Sequence, residues 1–376
     1  MDLKDLRTQI DGIDDEILKL FIKRMETVEK VTQVKKEQNL PVLNSSRERE
    51  ILNRIADATP DKFDVYSRVL FSTMFELSRS FQSGLTAESR LEKIIKDGMT
   101  NNEFPSRAMV ACQGVEGAYS QLATDKLFSL ANILYFRHFE GVFSAVEKGL
   151  CKYGVLPIEN SSYGSVNEVY DLMRNHKFYI VRTIKLHISH VLLAKKGVKL
   201  ENVKEIFSHE QAIGQCSEFL RKHPEIKITV CENTAVAAKT VAESDRTDIA
   251  AISSANCVNL YGLSVIGERV QNSDNNYTRF ICISKEPEIY AGANKISFML
   301  TLPHKPGALY SLMSKFNSLG INLSKLESRP ILGSDFEFMF YFDLDASVAN
   351  EKVVKLLCDL DSAPELFVFL GAYSEV

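Results

Sequence analysis

The first 40 residues carry a helical pattern that constrains the fold more than any other feature of the chain. Apolar residues recur at spacings of three and four, and no proline occurs before Pro41. The apolar stripe comprises Leu3, Leu6, Ile10, Ile13, Ile17 and Leu20. A helix from Leu3 to about Asn39 would be about 55 Å long, which is longer than a small domain is wide. The pattern therefore predicts that a second chain covers the stripe.

Residues 1–86 keep this helical character and are predicted to form an all-helical domain. Ser45-Ser46-Arg47-Glu48 has the composition of a capped helix start, and a third helix is predicted from about Asp61 to Gln82. The next stretch, residues 87–106, is polar and mixed in character, and we interpret it as a linker.

After the linker, short β-rich runs alternate with helical ones, at residues 109–111, 153–156, 191–194, 249–252 and 280–283 among others. This alternation predicts an α/β domain over residues 107–286, with two lobes and a cleft between them. Residues 294–376 read as strand, helix, strand, strand, helix, strand, which is the ferredoxin-like order. The predicted elements are 296–302, 307–319, 323–328, 336–344, 346–360 and 365–373.

Charge and cysteine usage exclude several classes of function. The formal net charge of −4 gives no general attraction for nucleic acid. No apolar run is long enough to cross a membrane, and the first residues lack the apolar core of a signal peptide, so a cytoplasmic protein is expected. The seven cysteines are scattered singly, and His187 and His190 on an apolar strand are interpreted as core residues, so no metal is expected. No dinucleotide-binding glycine motif occurs, and no cofactor is expected.

Three cations of the long helix bear on a possible anion site. Arg24 and Lys35 are eleven residues apart, close to three full turns, so they share a helix face. Arg7 lies seventeen residues before Arg24, about 25 Å along the helix. Within one chain, the two side chains therefore cannot bind the same small ligand. If Arg7 belongs to that site, it must come from an antiparallel partner helix of a second subunit.

The helical segment resembles the all-helical chorismate mutase family. The resemblance is carried by Leu6-Arg7, residues 14–20, Arg24, Lys35, Pro41-Val42, residues 47–50, Ser78 and Gln82. It implies an intertwined dimer in which Arg7 and Arg24 hold the two carboxylates of chorismate. Lys35 and Gln82 would act on the ether oxygen, and Glu48 would hold the ring hydroxyl, with Asn44, Arg47 and Ser78 completing the site. Asn44 departs from the family, which often has an acid there.

The central segment resembles the prephenate dehydratase family. The matching runs are residues 114–120, 157–166, 208–212 with 215–216, and 276–280. The resemblance implies a two-lobed fold like that of periplasmic binding proteins, and loss of water and carbon dioxide from prephenate. Thr278 would donate a hydrogen bond to the departing oxygen, and Glu159, if burial keeps it protonated, would assist as the acid. The implied prephenate-binding residues are Asn160, Ser161, Ser208, Gln215 and Arg279, the last either holding a carboxylate or pinning its loop.

The C-terminal segment resembles ACT regulatory domains of phenylalanine-controlled enzymes. The resemblance is carried by residues 306–310, by 320–323 and by the Glu-Ser-Arg-Pro run at 327–330. It implies an L-phenylalanine site, usually formed between paired domains, and feedback inhibition. The implied ligand-binding residues are Gly307, Ala308, Leu309, Asn322, Leu323, Glu327, Ser328 and Arg329.

Together these resemblances identify the chain as a member of the bifunctional chorismate mutase/prephenate dehydratase family, an isomerase joined to a carbon–oxygen lyase in phenylalanine biosynthesis, and a homodimer or homotetramer. Two alternatives remain open at this point. The helical segment could be a non-catalytic dimerisation arm beside a dehydratase, or the whole chain an amino-acid-binding regulator. Arogenate also remains a possible substrate in place of prephenate.

Overall fold

The computed structural model describes residues 2–38, 40–86, 90–331, 337–363 and 365–376. The helices are α1 Leu3–Glu37, α2 Ser45–Ala58, α3 Asp64–Thr86, α4 Arg90–Gly98, α5 Tyr119–Leu127, α6 Phe139–Glu147, α7 Asn167–Met173, α8 Glu210–Gln215, α9 Ser217–Arg221, α10 Thr234–Glu243, α11 Cys257–Tyr261, α12 Ala308–Ser318 and α13 Glu351–Asp361. The strands are β1 Arg107–Gln113, β2 Leu130–Phe136, β3 Tyr153–Asn160, β4 Gly164–Ser165, β5 Tyr179–His187, β6 Val191–Ala194, β7 Glu205–Ser208, β8 Lys227–Val230, β9 Ile249–Ser253, β10 Ser264–Gly267, β11 Tyr277–Ser284, β12 Lys295–Thr301, β13 Asn322–Pro330, β14 Phe338–Asp345 and β15 Phe367–Glu375.

The long N-terminal helix is present, and its apolar stripe is uncovered in the single chain. Asp2 caps α1 with a reciprocal capping box, and Lys35 and Lys36 lie in its last turn, where cations favour the helix dipole. The six stripe residues are between 41% and 68% exposed. The predicted end of this helix at Asn39 and the predicted strand start at Phe336 lie outside the described residues. The described part of the chain contains no helix that is both long and apolar enough to cross a membrane.

Residues 90–98, within the predicted linker, form the helix α4 instead of an extended connection. Leu91 and Ile95 are almost fully buried and belong to the same apolar core as the C-terminal helices and strands. Sequence composition missed this helix because most of its other residues are polar, and its apolar stripe has only about two turns. Residues 87–89 of the predicted linker lie outside the described residues.

The central segment consists of two sheets. The first contains β2, β1, β3, β11 and β5, and the second has the order β10-β6-β9-β7-β8. The chain passes between the sheets twice, from β5 to β6 and from β10 to β11, so that the two lobes share a cleft. Each of the five β-rich runs predicted from sequence lies inside one of these strands. The mixed helical and α/β architecture expected from sequence is therefore confirmed.

The C-terminal segment extends the first sheet. Its own strands have the order β13-β14-β12-β15 and pair antiparallel throughout. The last strand, β15, then pairs in parallel with β5 through Ser374 and Glu375. As a result, one continuous sheet runs from the first lobe into the C-terminal segment. Ile158 of β3 and Ile281 of β11 lie on the face of the sheet turned away from the cleft, which we call the reverse face. Both pack in the same apolar core as Tyr341 and Tyr373.

Gly371 should be required where this sheet crosses from β5 to β15. Its φ is +142°, and an added Cβ would overlap the carbonyl oxygen of Ile180. We expect Gly371→Ala to lower the free energy of unfolding by about 2–5 kcal/mol, through strain and overlap together. Gly292→Ala is the matched control, because Gly292 has φ +83° with open space around it, and only strain of about 1–2 kcal/mol applies there. Chemical denaturation measures both, and equal losses would contradict a close contact at the junction.

Candidate active sites

The cleft between the two lobes has a volume of about 420 Å³, and helix N-termini reach it from the first lobe. Ala118, Tyr119 and Ser120 at the start of α5, and His138 and Phe139 at the start of α6, line it. Neither helix has a side-chain cap at its first residue, so no side chain satisfies its leading N–H groups. Such termini favour anions. Arg137 at the rim is ion-paired with Glu232.

Asn160 and Thr278 form a fixed pair inside this cleft, opposite each other on β3 and β11. The Asn160 Oδ1 accepts hydrogen bonds from the backbone N–H groups of Ser162 and Tyr163, at 2.9 and 3.1 Å. The Nδ2 therefore points the other way and donates to Thr278 Oγ1 at 2.9 Å and to Asn276 Oδ1 at 2.8 Å. Because the Thr278 oxygen is used as an acceptor, its own proton can be donated to a ligand in the cleft.

His190 and Gln215 form a second polar pair in the cleft. His190 Nε2 lies 2.7 Å from Gln215 Oε1, and an amide oxygen only accepts, so this nitrogen carries the proton. Burial lowers the pKa of His190, and His209 lowers it further, so the ring is neutral at pH 7. The interpretation as core residues fits His190, which is only 2% exposed, and is wrong for His187. His190 lines the cleft, while His187 is exposed and contacts the backbone oxygen of Asp274. An apolar strand pattern does not reveal that the chain changes lobes at this point.

Two serines predicted to bind prephenate have structural partners instead. Ser208 is fully buried and donates to the backbone oxygen of Ile252, so it does not line the cleft. Ser161 is exposed, and its Oγ accepts from the backbone N–H of Tyr277, joining the turn after β3 to the start of β11. Its contribution is to hold the two strand ends together.

Glu159 and Arg279 do not face the cleft, which argues against the acid role expected for Glu159 and leaves loop pinning as the role that fits Arg279. Successive strand residues point to opposite faces, so Glu159 and Arg279 lie behind Asn160 and Thr278. Burial alone would raise the pKa of Glu159, but Arg279 at 3.4 Å and Lys325 at 2.9 Å outweigh it and the pKa is lowered. The carboxylate is therefore ionised at neutral pH and cannot serve as the acid. Arg279 forms an ion pair with Asp343 at 2.7 Å, on the face of the sheet away from the cleft.

The helical segment brings several of the predicted mutase residues onto neighbouring faces of α1 and α3. Arg24 donates to the hydroxyl of Ser78, and its guanidinium lies 5.8 Å from the centre of the Phe75 ring. Burial lowers the pKa of Arg24, although a guanidinium remains charged. Gln82 is buried one turn beyond Ser78 and donates to its backbone oxygen. Lys35 donates to the backbone oxygen of Val42.

The other predicted mutase residues are near the start of α2 or near the start of α1. Glu48 is ion-paired with Arg79 of α3, a partner that the sequence reasoning missed. Asn44 caps α2 by accepting from the backbone N–H of Arg47, so the neutral amide has a structural role at this position. The side chain of Arg47 is exposed and paired with Glu50. Arg7 is exposed.

The C-terminal segment has a cavity of about 680 Å³ beside the start of α12. Ala308 and Leu309 line it together with Phe338 and Phe340. Gly307 precedes the helix with φ +82° and offers no side-chain cap. Asn322 and Leu323 start β13 at the opposite end of the sheet, where the Asn322 amide donates to Asp345. Glu327 and Arg329 face the central segment, through Ser165 and Asp171. One chain therefore does not bring all the predicted ligand residues together.

Two family models match the chain, and known relatives match it at different lengths. The chorismate mutase type II model matches residues 6–83, and the prephenate dehydratase model matches residues 110–288. A bifunctional chorismate mutase/prephenate dehydratase of Aquifex aeolicus is 31% identical over 99% of this chain and 98% of its own length. Arogenate dehydratase/prephenate dehydratase 2 of Arabidopsis thaliana is 36% identical over 71% of this chain and 73% of its own.

Solved structures agree with these matches. A prephenate dehydratase from Arthrobacter aurescens, determined with L-phenylalanine, superposes with a TM-score of 0.64 and 29% identity, over 71% of this chain and 89% of its own. The sequence alone left open whether the helical segment is only a dimerisation arm. That segment matches a chorismate mutase model of its own, and the Aquifex relative shares both segments. The chain therefore belongs to the bifunctional chorismate mutase/prephenate dehydratase family and carries both enzyme activities.

Proposed function

We propose that the cleft converts prephenate to phenylpyruvate with Thr278 as the hydrogen-bond donor to the departing hydroxyl. In this step the ring C–O bond breaks and the leaving oxygen takes up a proton, ultimately from solvent. The ring carboxylate leaves as carbon dioxide, and the electron pair of its C–C bond completes the aromatic ring. The observation that carries the proposal is the Asn160–Thr278 hydrogen bond, in which the Thr278 oxygen is the acceptor and its own proton stays available for a ligand.

The two carboxylates of prephenate suit the uncapped starts of α5 and α6. Their N–H groups supply donors without a buried cation, and preorganised dipoles stabilise charge in a site shielded from water. Gln215, held by His190, offers its amide NH₂ group to a substrate oxygen. Because a fused mutase supplies prephenate, we infer that prephenate rather than arogenate is the substrate. A cytoplasmic location stays a prediction from sequence.

Thr278→Val removes the proposed donor while keeping the side-chain shape. We expect the rate of phenylpyruvate formation to fall roughly 100-fold or more, and chorismate consumption to be unchanged. The measurement incubates each variant with chorismate alone and follows chorismate, prephenate and phenylpyruvate by chromatography. Thr240→Val, on the exposed side of α10, is the matched control and should behave as the wild type. Unchanged phenylpyruvate formation in Thr278→Val would exclude this role.

For the mutase we propose a site shared between two chains. Arg24, Ser78 and Gln82 lie together on α1 and α3, which supports a half-site that a carboxylate of chorismate could reach. Arg7 of a second chain would hold the other carboxylate, and burial of the exposed α1 stripe would stabilise the dimer. The rearrangement is pericyclic, so folding the substrate and stabilising charge at its ether oxygen, by Lys35 and Gln82, are sufficient. Glu48 would hold the ring hydroxyl.

Heterodimers test whether Arg7 is supplied by the partner. Arg7→Ala and Arg24→Ala are each expected to abolish mutase activity in homodimers. A heterodimer of the two, co-expressed with different tags, contains one site with both arginines and one with neither. It should therefore recover about half of the wild-type mutase activity. A heterodimer no more active than either homodimer would show that both arginines act within one chain. Dehydratase activity serves as the control for folding.

We propose that residues 294–376 form an ACT domain that binds L-phenylalanine and feeds back on the enzyme, and that residues 1–86 and 107–286 are the two catalytic domains. The antiparallel order β13-β14-β12-β15 supports a ferredoxin-like unit. The cavity beside α12 offers aromatic walls for a phenyl ring and an uncapped helix start for a carboxylate. The separation of Asn322 from Ala308 favours a ligand site completed by a second chain.

Calorimetric titration with L-phenylalanine tests the regulatory proposal. We expect saturable binding to the wild type. Ala308→Leu should abolish binding because the larger side chain fills the cavity beside α12. Ala349→Leu makes the same change at an exposed turn and should bind as the wild type does. Absence of saturable binding to the wild type would remove the proposal.

A further inference from the structure

The amide of Asn160, which positions the proposed donor Thr278, is oriented by a short turn that closes against β3. The backbone N–H groups of Ser162 and Tyr163 fix its oxygen, and the turn ends at β4, whose Ser165 pairs with Glu159. Glu159 and Ser165 form the base of this turn. The position of Asn160, and through it that of Thr278, therefore depends on the contacts that hold this base.

Lys325 of the C-terminal segment holds that base from the reverse face. Its ammonium lies 2.9 Å from the Glu159 carboxylate and donates to Ser165 Oγ, also at 2.9 Å. Ser165 in turn donates to Glu327 at 2.6 Å. One cation thus contacts both sides of the turn, immediately next to the residue that carries the amide.

The neighbouring strand is held in the same way. Arg279 follows Thr278 and is paired with Asp343 of β14 at 2.7 Å, and Asp343 accepts a further bond from Ser297. The Lys325 side chain is only 20% exposed and that of Arg279 only 8%, so solvent screens these pairs less than surface pairs. The C-terminal segment therefore forms ion pairs with Glu159, next to Asn160, and with Arg279, next to Thr278.

We propose that Lys325 is a positioning residue of the dehydratase site, contributed by the C-terminal segment. It acts by fixing the turn that orients Asn160 towards Thr278, and it does not touch the substrate. This inference rests on the proposed roles of Asn160 and Thr278. It gives the predicted regulatory segment a direct part in dehydration, in addition to any effector that it binds.

Lys325→Met tests the proposal because it keeps the side-chain length and removes the charge. We expect the dehydratase kcat to fall roughly 10- to 100-fold, as when a reacting group is displaced by about 1 Å, with KM changed far less. Lys325→Arg should restore most of kcat. Asp171→Asn is the control, since it removes another ion pair between the same two segments, to Arg329, away from the turn. It should leave kcat unchanged, and mutase activity should be unchanged in every variant.

Two further variants separate positioning from general stability. Ser165→Ala removes the other contact of Lys325 and should also lower kcat, by a smaller factor. Lys325→Met combined with Glu159→Gln should cost much less than the product of the single losses, because both remove the same pair. Unchanged kcat in Lys325→Met, or an equal loss of mutase and dehydratase activity in both Lys325→Met and Ser165→Ala, would overturn the proposal. A wild type that forms no phenylpyruvate would instead refute the proposed function.

Discussion

The pairing of β3 with β11 is the constraint on which the dehydratase half of the molecule depends. Strand geometry sends Asn160 and Thr278 to one face and Glu159 and Arg279 to the other. The first pair lies where the two lobes leave a cleft. The second pair consists of charges with little exposure, which persist only when counter-charges lie close by. Those counter-charges, Lys325 and Asp343, come from the C-terminal segment. The two-residue repeat of strand geometry thus places Asn160 and Thr278 at the cleft and places Glu159 and Arg279 where they contact the C-terminal segment.

The same repeat explains where sequence reasoning succeeded and where it did not. Alternation of strands and helices, the long helix and the order of the C-terminal elements follow from periodicity, which local sequence contains. The face on which Glu159 lies depends on strand register, and a motif such as Pro-Ile-Glu-Asn presents both faces at once. The lowered pKa of Glu159 depends on Arg279 and on Lys325, which lies 166 positions later in the chain, and no local pattern signals the Lys325 contact. Likewise the capping role of Asn44 was within reach of sequence reasoning, whereas the Glu48–Arg79 pair required the packing of α2 on α3.

The helical segment follows a different constraint, because a single chain leaves much of the apolar surface of α1 exposed. Apolar side chains along most of α1 remain largely exposed, whereas the residues around Arg24 pack against α3. Burial of apolar surface is the main favourable term in folding, and the exposed stripe therefore supports the proposed pairing with a second copy. The separation of Arg7 from Arg24 and the exposed stripe are two consequences of the same length. Both features support the proposed mutase site divided between two chains.

The C-terminal segment contacts both enzymatic units, and its position explains the geometry of each contact. Ser311 donates to Glu76 of α3, Lys305 approaches the same carboxylate, and Ser80 of α3 donates to Asp359 of α13 at 3.0 Å. Glu76 is two residues from Ser78, so these contacts reach the mutase helix beside its predicted site. On the other side, β13 reaches Glu159 beside Asn160. Because the segment shares a continuous sheet with the dehydratase lobe through β15, it cannot shift without changing one set of contacts or carrying the lobe with it.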